Sequence, residues 1–405
     1  MQAARTIPKK KGSAVVNTMT DHHQIRSQIV GLGAVTGYGW GRERLWDGLL
    51  TGKSPAVLRP GFGTISDEGW VVQVPEGGSE DDGPSRFSRA LRWSVREAIS
   101  DAYARGWTPG RTVGLVHACV LGDLGMYPMV APDATGFTGR QYLGVTPSTP
   151  ISLVMAEFGF HGPAVNIGAM CTSGVAATVT ATAWIESGIV DDAIVVATDL
   201  SAIPEVVKMF TQLGVAITDA EPLDACRPFQ AGSRGFAFGE AAIANVLTGR
   251  RHAGTRYASV LGGAMAHDGH HVTSIDPSLT HVRACVDQAL EAAHVTPNGV
   301  RYHNAHGPGT EQCDRAEGHI AKSLPNAEVF SVKPLAGHCQ AAAGSVEIAA
   351  TLLAYDRGEI PASPQVAEAA VPLLDGRTPI EKDGITLKTS LGMGGHNAAV
   401  VLSGQ

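Results

Sequence analysis

Apolar positions in this chain take two forms, short runs that close on glycine and longer stretches of small residues. The first run is QIVGLGAVTGYG from Gln28, an apolar strand ending on Gly and Thr, followed by the helix-like RERLWDGLLTGKS. Further runs predict strands at 112–117, 164–167 and 193–197. Between the last two lies CTSGVAATVTATAWIESG, whose β-branched residues suit a strand but whose length far exceeds one. A buried helix of small residues fits better. The centre of the first half therefore reads strand, tight turn, buried helix, strand.

The second half repeats this grammar. A strand at 257–261 leads into a Gly- and His-rich loop, then a helix at 282–294 and strands at 300–303 and 329–332. A small-residue helix at 340–355 follows, and ITLKTSL and NAAVVLS form a closing hairpin around GMGGH. Strands alternating with helices predict an α/β architecture with mostly parallel sheets. The two halves look like a diverged duplication with a seam near 249–255. This divides the chain into a leader (1–27), a first half (28–252) and a second half (253–405).

Composition narrows the choices. Of 405 residues, 44% are hydrophobic and 17% charged, which excludes global disorder. The 49 glycines against 6% aromatics imply an interior where backbones approach closely. Lys plus Arg is 31 and Asp plus Glu 38, a net charge of −7 that argues against nucleic-acid binding. Six cysteines without a CxxC spacing do not read as a disulfide framework or a zinc site, and a reducing cytoplasm is the expectation. No apolar run is long enough to span a membrane. The leader lacks the apolar run of a secretory signal and is expected to be mobile, with Met19 an alternative start.

Four segments can carry chemistry. In NIGAMCTSGVAA, Cys171 falls between a strand and the buried helix, where unpaired N–H groups and the helix dipole favour a thiolate. Its alternative is a packed structural thiol, and this segment alone does not separate the two. His306, in NAHGPGTEQCDRAEG, follows a strand on a Gly-rich loop and suits hydrogen bonding to a substrate carbonyl, or else a locally satisfied histidine. His338, in SVKPLAGHCQAAAGSVE, again lies between a strand and a small-residue helix, as the counterpart of Cys171, with Lys333 at the strand end. If the halves pack about a pseudo-twofold axis, Cys171 and His338 face each other, and a Cys beside imidazoles suits a thiol nucleophile. The loop LGMGGHN is either a glycine hairpin or a donor of the Met393 N–H, with that of Cys171, to a developing oxyanion.

From Gln28 to Ser403 the chain resembles a β-ketoacyl-acyl-carrier-protein synthase, a condensing enzyme of the thiolase superfamily. The resemblance rests on VGLGAVT, MCTSG, RPFQAGSRGFAFGEAA, HVTSIDP, NAHGPGT with DRAE, KPLAGHCQAAAG and LGMGGHN, in that order. It implies a five-layered α-β-α-β-α fold of two similar halves. Cys171 then matches the acyl-accepting cysteine, and His306 and His338 the histidines of decarboxylation and condensation. Lys333 is the motif lysine, ordering the site's charge with Glu317. Thr310 matches a pantetheine-binding hydroxyl, while Met170, Phe210, Leu391 and Met393 belong to the acyl pocket and gate.

Six positions depart from the family pattern. Pro308 stands for the first threonine of H-G-T-G-T, Leu391 and Met393 for aromatics, Met170 for a small residue, Gln230 for Asp and Ala341 for Gly. No catalytic group is lost, and the departures favour a specialised pathway over housekeeping fatty-acid elongation. The resemblance implies an acyl-Cys171 intermediate and decarboxylative condensation with a malonyl thioester, in fatty-acid or polyketide biosynthesis, without a metal or redox cofactor. Implied partners are an acyl carrier protein and a second subunit, identical or paralogous. A basic patch containing Lys208, Arg250 and Arg251 should rim the tunnel for an acidic carrier. Competing readings are a non-elongating acyltransferase and a non-catalytic chain-length-factor-like subunit, the latter disfavoured by Cys171. His267, His270 and His271 resemble a metal cluster but are expected to be structural. Cys226, Cys285, Cys313 and Cys339 are expected to pack, Cys339 with a place beside the site.

Overall fold

The computed structural model describes residues 26–130, 139–249 and 252–404; most of the leader, with Met19, and Arg250 and Arg251 lie outside them. The first half runs β1 (Gln28–Thr36), α1 (Arg86–Ala104), β2 (Val113–Ala118), α2 (Ser148–Phe158), β3 (Ala164–Ile167), α3 (Ser173–Glu186), β4 (Asp192–Asp199) and β5 (Ala241–Thr248). The second runs β6 (Ala258–His267), α4 (Thr280–Ala293), β7 (Tyr302–Asn304), α5 (Glu311–Ser323), β8 (Glu328–Phe330), α6 (Ala343–Arg357), β9 (Ile385–Gly392) and β10 (His396–Ser403). With the remaining strands and helices set aside, among them Arg42–Leu50 and Pro204–Gln212 in the first half, each half has the order β-α-β-α-β-α-β-β. The duplication is real.

Strand pairing repeats as well. The strands lie in the order β8-β7-β9-β10-β6-β1-β5-β4-β2-β3, joined at the middle by β1 and β6. In both halves the three strands farthest from the seam are parallel and the rest antiparallel. The parallel strands β2 and β4 are buried along their whole length, as covering helices require.

The sequence reading assigns no element to α1, α2 or β5. In α1, Phe87, Ala90, Leu91, Ser94, Val95, Ala98 and Ile99 recur at helical spacing and are buried, and the Ser85 side chain caps the first turn. This helix lies directly on β1. A Cβ at Gly33 would come within 2.0 Å of Ser94 O, and one at Gly31 within 2.2 Å of Ala98 O. Helices α3 and α6 cross in the same manner between the two halves, where a Cβ on Gly174 would meet Ser345 Oγ at 2.5 Å and one on Gly344 would meet Val175 at 2.7 Å. That crossing brings the two turns preceding these helices side by side. Among the described residues no helix is long and apolar enough to cross a membrane.

Candidate active site

Each inner helix is preceded by a short 3-10 turn, Met170–Thr172 before α3 and Gln340–Ala342 before α6. Each turn opens on a non-glycine residue with left-handed φ, 49° at Met170 and 45° at Gln340. Met170 therefore matches Gln340 and Cys171 matches Ala341. The expectation that His338 is the counterpart of Cys171 is corrected: His338 lies two residues before Gln340, at the place of Gly168. The first turn is pinned by Ser173 Oγ, which accepts from the Ala169 N–H at 2.8 Å and donates to Met170 O at 2.6 Å.

The expected convergence is present. The Cys171 sulfur and one ring nitrogen each of His306 and His338 lie within 4.8 Å of one another. The two rings stand edge to face, centroids 5.4 Å apart, and Phe236 packs on His338 at 4.4 Å. A cavity of ≈ 260 Å³ opens onto all three groups, lined also by Phe210, Pro308, Thr310, Leu391 and Met393. Met170, expected in the acyl pocket, is not among the residues lining this cavity; its left-handed backbone opens the turn. Cys313, expected only to pack, does line the cavity. Cys339 does not; its buried thiol faces the carbonyls of Ala336 and Gly337.

Both histidines have their tautomers fixed. Lys333 Nζ donates to His306 Nδ1 at 3.1 Å, and the Gln340 N–H donates to His338 Nδ1 at 3.0 Å. Each neutral ring therefore carries its proton on Nε2. Burial, helped by the charge of Lys333, holds both imidazoles well below their usual range for protonation. They are neutral donors at physiological pH. A metal ion would need the Nε2 lone pairs that these protons occupy, so the cluster suits hydrogen bonding to a carbonyl better than coordination. In the His-rich loop, His267 packs edge-on against His396 at 4.8 Å. Cys171, His306 and His338, rather than His267, His270 and His271, form the group close enough to share an ion among the described residues.

The thiol departs from expectation. Burial pushes Cys171 up to about 11, against the pull of the Lys333 charge and of the Met393 and Cys171 N–H groups. Desolvation of the anion outweighs what the turn offers, and the resting form is a thiol. The same two N–H groups lie within hydrogen-bonding reach of the sulfur, where they can receive an oxyanion. Ser390 Oγ donates to Cys171 O at 3.1 Å and so ties β9 to the Met170–Thr172 turn.

The charged network differs in its pairing. Lys333 forms its ion pair with Glu347 on α6, not with Glu317. The Glu317 carboxylate accepts from the N–H groups of His306 at 2.6 Å and Gly307 at 2.7 Å, and from Thr389 Oγ1 at 2.7 Å. Lys388 on β9 reaches the other Glu347 oxygen at 2.6 Å. Sequence reasoning missed Glu347 and Lys388, although a charge inside each of two apolar elements, GSVEIAA and ITLKTSL, is a signal for both. Thr310 stands at the N-cap position of α5, in the cavity wall, without a side-chain capping bond. Lys208 is exposed on the helix that carries Phe210, whereas Arg250 and Arg251 lie outside the described residues.

Two family models match, the N-terminal domain of beta-ketoacyl synthase over residues 79–253 and the C-terminal domain over 257–367. The tetracenomycin polyketide synthase ketoacyl synthase alpha subunit of Streptomyces glaucescens is 28% identical, over 95% of this chain and 98% of its own length. Among solved structures, a ketosynthase in complex with its chain length factor from Xenorhabdus doucetiae matches with a TM-score of 0.81 at 22% identity, covering 96% of this chain and 100% of that one. A type II polyketide synthase acyl-carrier protein in complex with its ketosynthase matches with a TM-score of 0.81 at 22% identity, over 94% and 99%. These structural likenesses show the thiolase-like fold.

Proposed function

The chain belongs to the β-ketoacyl synthase family, and from that premise we propose that it is a condensing acyltransferase working through an acyl-Cys171 intermediate. The observation that carries the reading is the convergence of a thiol and two neutral imidazoles at the floor of one cavity.

An acyl thioester on the phosphopantetheine arm of a carrier exchanges onto Cys171, and the carrier leaves as its free thiol. The tetrahedral oxyanion is received by the N–H groups of Cys171 and Met393. A malonyl thioester then enters, its thioester carbonyl held by the Nε2–H groups of His306 and His338. Loss of carbon dioxide leaves an enolate, whose charge these donors stabilise in a water-poor site. The enolate carbon attacks the acyl-Cys171 carbonyl and expels the thiolate, which takes a proton from water. The products are carbon dioxide and a β-ketoacyl thioester. Thr310 binds the arm, and Phe210, Leu391 and Met393 shape the channel. The sequence requires no metal or redox cofactor.

We place the reaction in a polyketide-type or fatty-acid pathway, with an acyl carrier protein as donor and a like or paralogous subunit as partner. The likeness to carrier-bound and chain-length-factor-bound ketosynthases supports both. The outermost strand β3, whose residues 164–166 are exposed with one edge unpaired, supports the subunit partner. All six cysteines are free thiols, in keeping with a reducing cytoplasm.

The test is to incubate the protein with acylated carrier, look for acyl-Cys171 by mass spectrometry, and then add malonyl carrier. Acylation followed by carbon dioxide release is expected. Acylation with transfer to another acceptor would replace condensation by simple acyl transfer, and a folded protein that takes no acyl group would be a non-catalytic partner.

A further inference from the structure

Lys388 sits at the middle of β9, fully buried, in register with Asn304 on β7. Its ammonium lies 2.6 Å from Glu347 Oε2 and donates to Asn304 O at 3.4 Å and to Thr389 O. Glu347 is thus shared, one oxygen facing Lys333 and the other Lys388. One carboxylate cannot balance two ammonium ions in a dry interior. The second negative charge is Glu317, also fully buried, which clamps the His306 and Gly307 N–H groups. Among the groups around Glu317, Lys388 is the foremost influence opposing the cost of burying its charge.

The groups form a ring. His306 Nδ1 meets Lys333, Lys333 meets Glu347, Glu347 meets Lys388, and Lys388 offsets Glu317, which returns to the His306 backbone. His303, on the neighbouring strand, bonds Thr389 Oγ1 at 2.8 Å and stands 3.9 Å from Glu317. Without Lys388 the ring would carry one cation against two buried carboxylates.

We propose that Lys388 is a positioning residue for His306: its charge keeps Glu317 clamped on the His306–Gly307 backbone and, with Lys333, keeps that imidazole a neutral donor. The titratable groups facing this cluster are Lys333, Glu347, Glu317, His303 and His338, with Cys171 beside His306 and Cys313 and Asp314 beside Glu317, and the charge of Lys388 disfavours protonation of His303, His306 and His338 alike. The catalytic consequence rests on the condensing reading. The electrostatic one does not.

The test therefore has two readouts, an NMR titration of imidazole in the ligand-free protein and the pH profile of carbon dioxide release. The His306 resonance is identified by its loss in His306→Ala. In Lys388→Met, His306 is expected to protonate at higher pH than in wild type, and the acid limb of carbon dioxide release to move the same way, with kcat at least ~10-fold lower. The charge-matched Lys388→Met/Glu317→Gln double variant is measured beside it and is expected to fold and to titrate closer to wild type. An unchanged His306 titration in folded Lys388→Met overturns the proposal. So does a double variant that unfolds or titrates like the single one. A wild-type protein that releases no carbon dioxide sinks the condensing reading and leaves the titration decisive for Lys388.

Discussion

The backbone N–H of Ala341 donates to Asp199 Oδ2 at 3.2 Å, and Ala341 holds in the second half the place that Cys171 holds in the first. At the matching position the Cys171 N–H is directed to its own sulfur, together with that of Met393. A stabilising hole needs donors that no protein acceptor has taken. One turn of the duplicated pair is quenched by a carboxylate, and the other stays open. The pseudo-twofold frame thus yields one reactive centre, and the quenched turn still serves it by anchoring the residues that follow His338.

Asp199 bears a cost for this anchoring. Burial pushes its carboxyl up to about 6, against the donors of Ser201 and Ala341. A raised carboxyl pKa gives stability that is fully present below the unfolded value and is lost as pH rises through the folded one. At pH 8 the whole cost is borne, ~3 kcal/mol. Asp199→Asn removes the charge and keeps an acceptor for Ala341. Its urea midpoint should exceed that of wild type at pH 8, and the gap should close between pH 7 and pH 4. A gap independent of pH would mean that the carboxylate is not the source.

The Cys171 thiol makes a separate prediction. With its ionisation near pH 11, alkylation of Cys171 by iodoacetamide should rise ~10-fold per pH unit from 7 to 10. An unperturbed thiol near ~8.5 levels off by about pH 9.5. Mass spectrometry of the Cys171 peptide follows the rate, and a plateau below pH 9 would show the turn winning over burial. Lys333→Met, which removes the charge that pulls the thiol down, should slow labelling at pH 8.

Much of this was legible because the chemistry sits where apolar runs break. Cys171, His306 and His338 each follow a short strand, and the strand–turn–helix grammar alone places them at the same end of the sheet. The duplication let residues far apart in the chain be paired, though in the wrong register: sequence aligns strand ends, whereas the left-handed residues Met170 and Gln340 fix the true equivalence. Ion pairing was not legible. Whether Lys333 meets Glu317 or Glu347 depends on which helix face turns inward, and both helices carry a buried glutamate. Nor was the thiol's ionisation, since spacing locates a helix N-terminus but not the depth at which it is buried.

The crossing of α3 and α6 sets the distance between the two halves of the site. In Gly174→Ala the new methyl would lie 2.5 Å from Ser345 Oγ and 2.8 Å from Ser345 N, so backbone must yield. Overpacking of this kind costs ~1–3 kcal/mol. Gly174 touches no substrate, yet carbon dioxide release should fall with stability, because moving α3 separates Cys171 from the histidines. Gly318→Ala on α5 is the control. A Cβ there meets nothing within 4 Å, so the helix should gain ~0.5–1 kcal/mol and keep its activity.

Pro308 lines the cavity between His306 and Thr310 and supplies neither an N–H nor a hydroxyl to whatever passes. Pro308→Thr would restore one hydroxyl and keep the backbone carbonyl that faces Cys226 Sγ at 3.7 Å. A neutral hydrogen bond is worth ~1 kcal/mol, or ~5-fold in affinity. On the proposed reaction a pantetheine arm passes this position and is bound alike in the ground and transition states, so the gain should fall on KM for the carrier-borne substrate and leave kcat unchanged. A change in kcat alone would place position 308 next to the reacting atoms, and no change in either would remove it from the path of the arm.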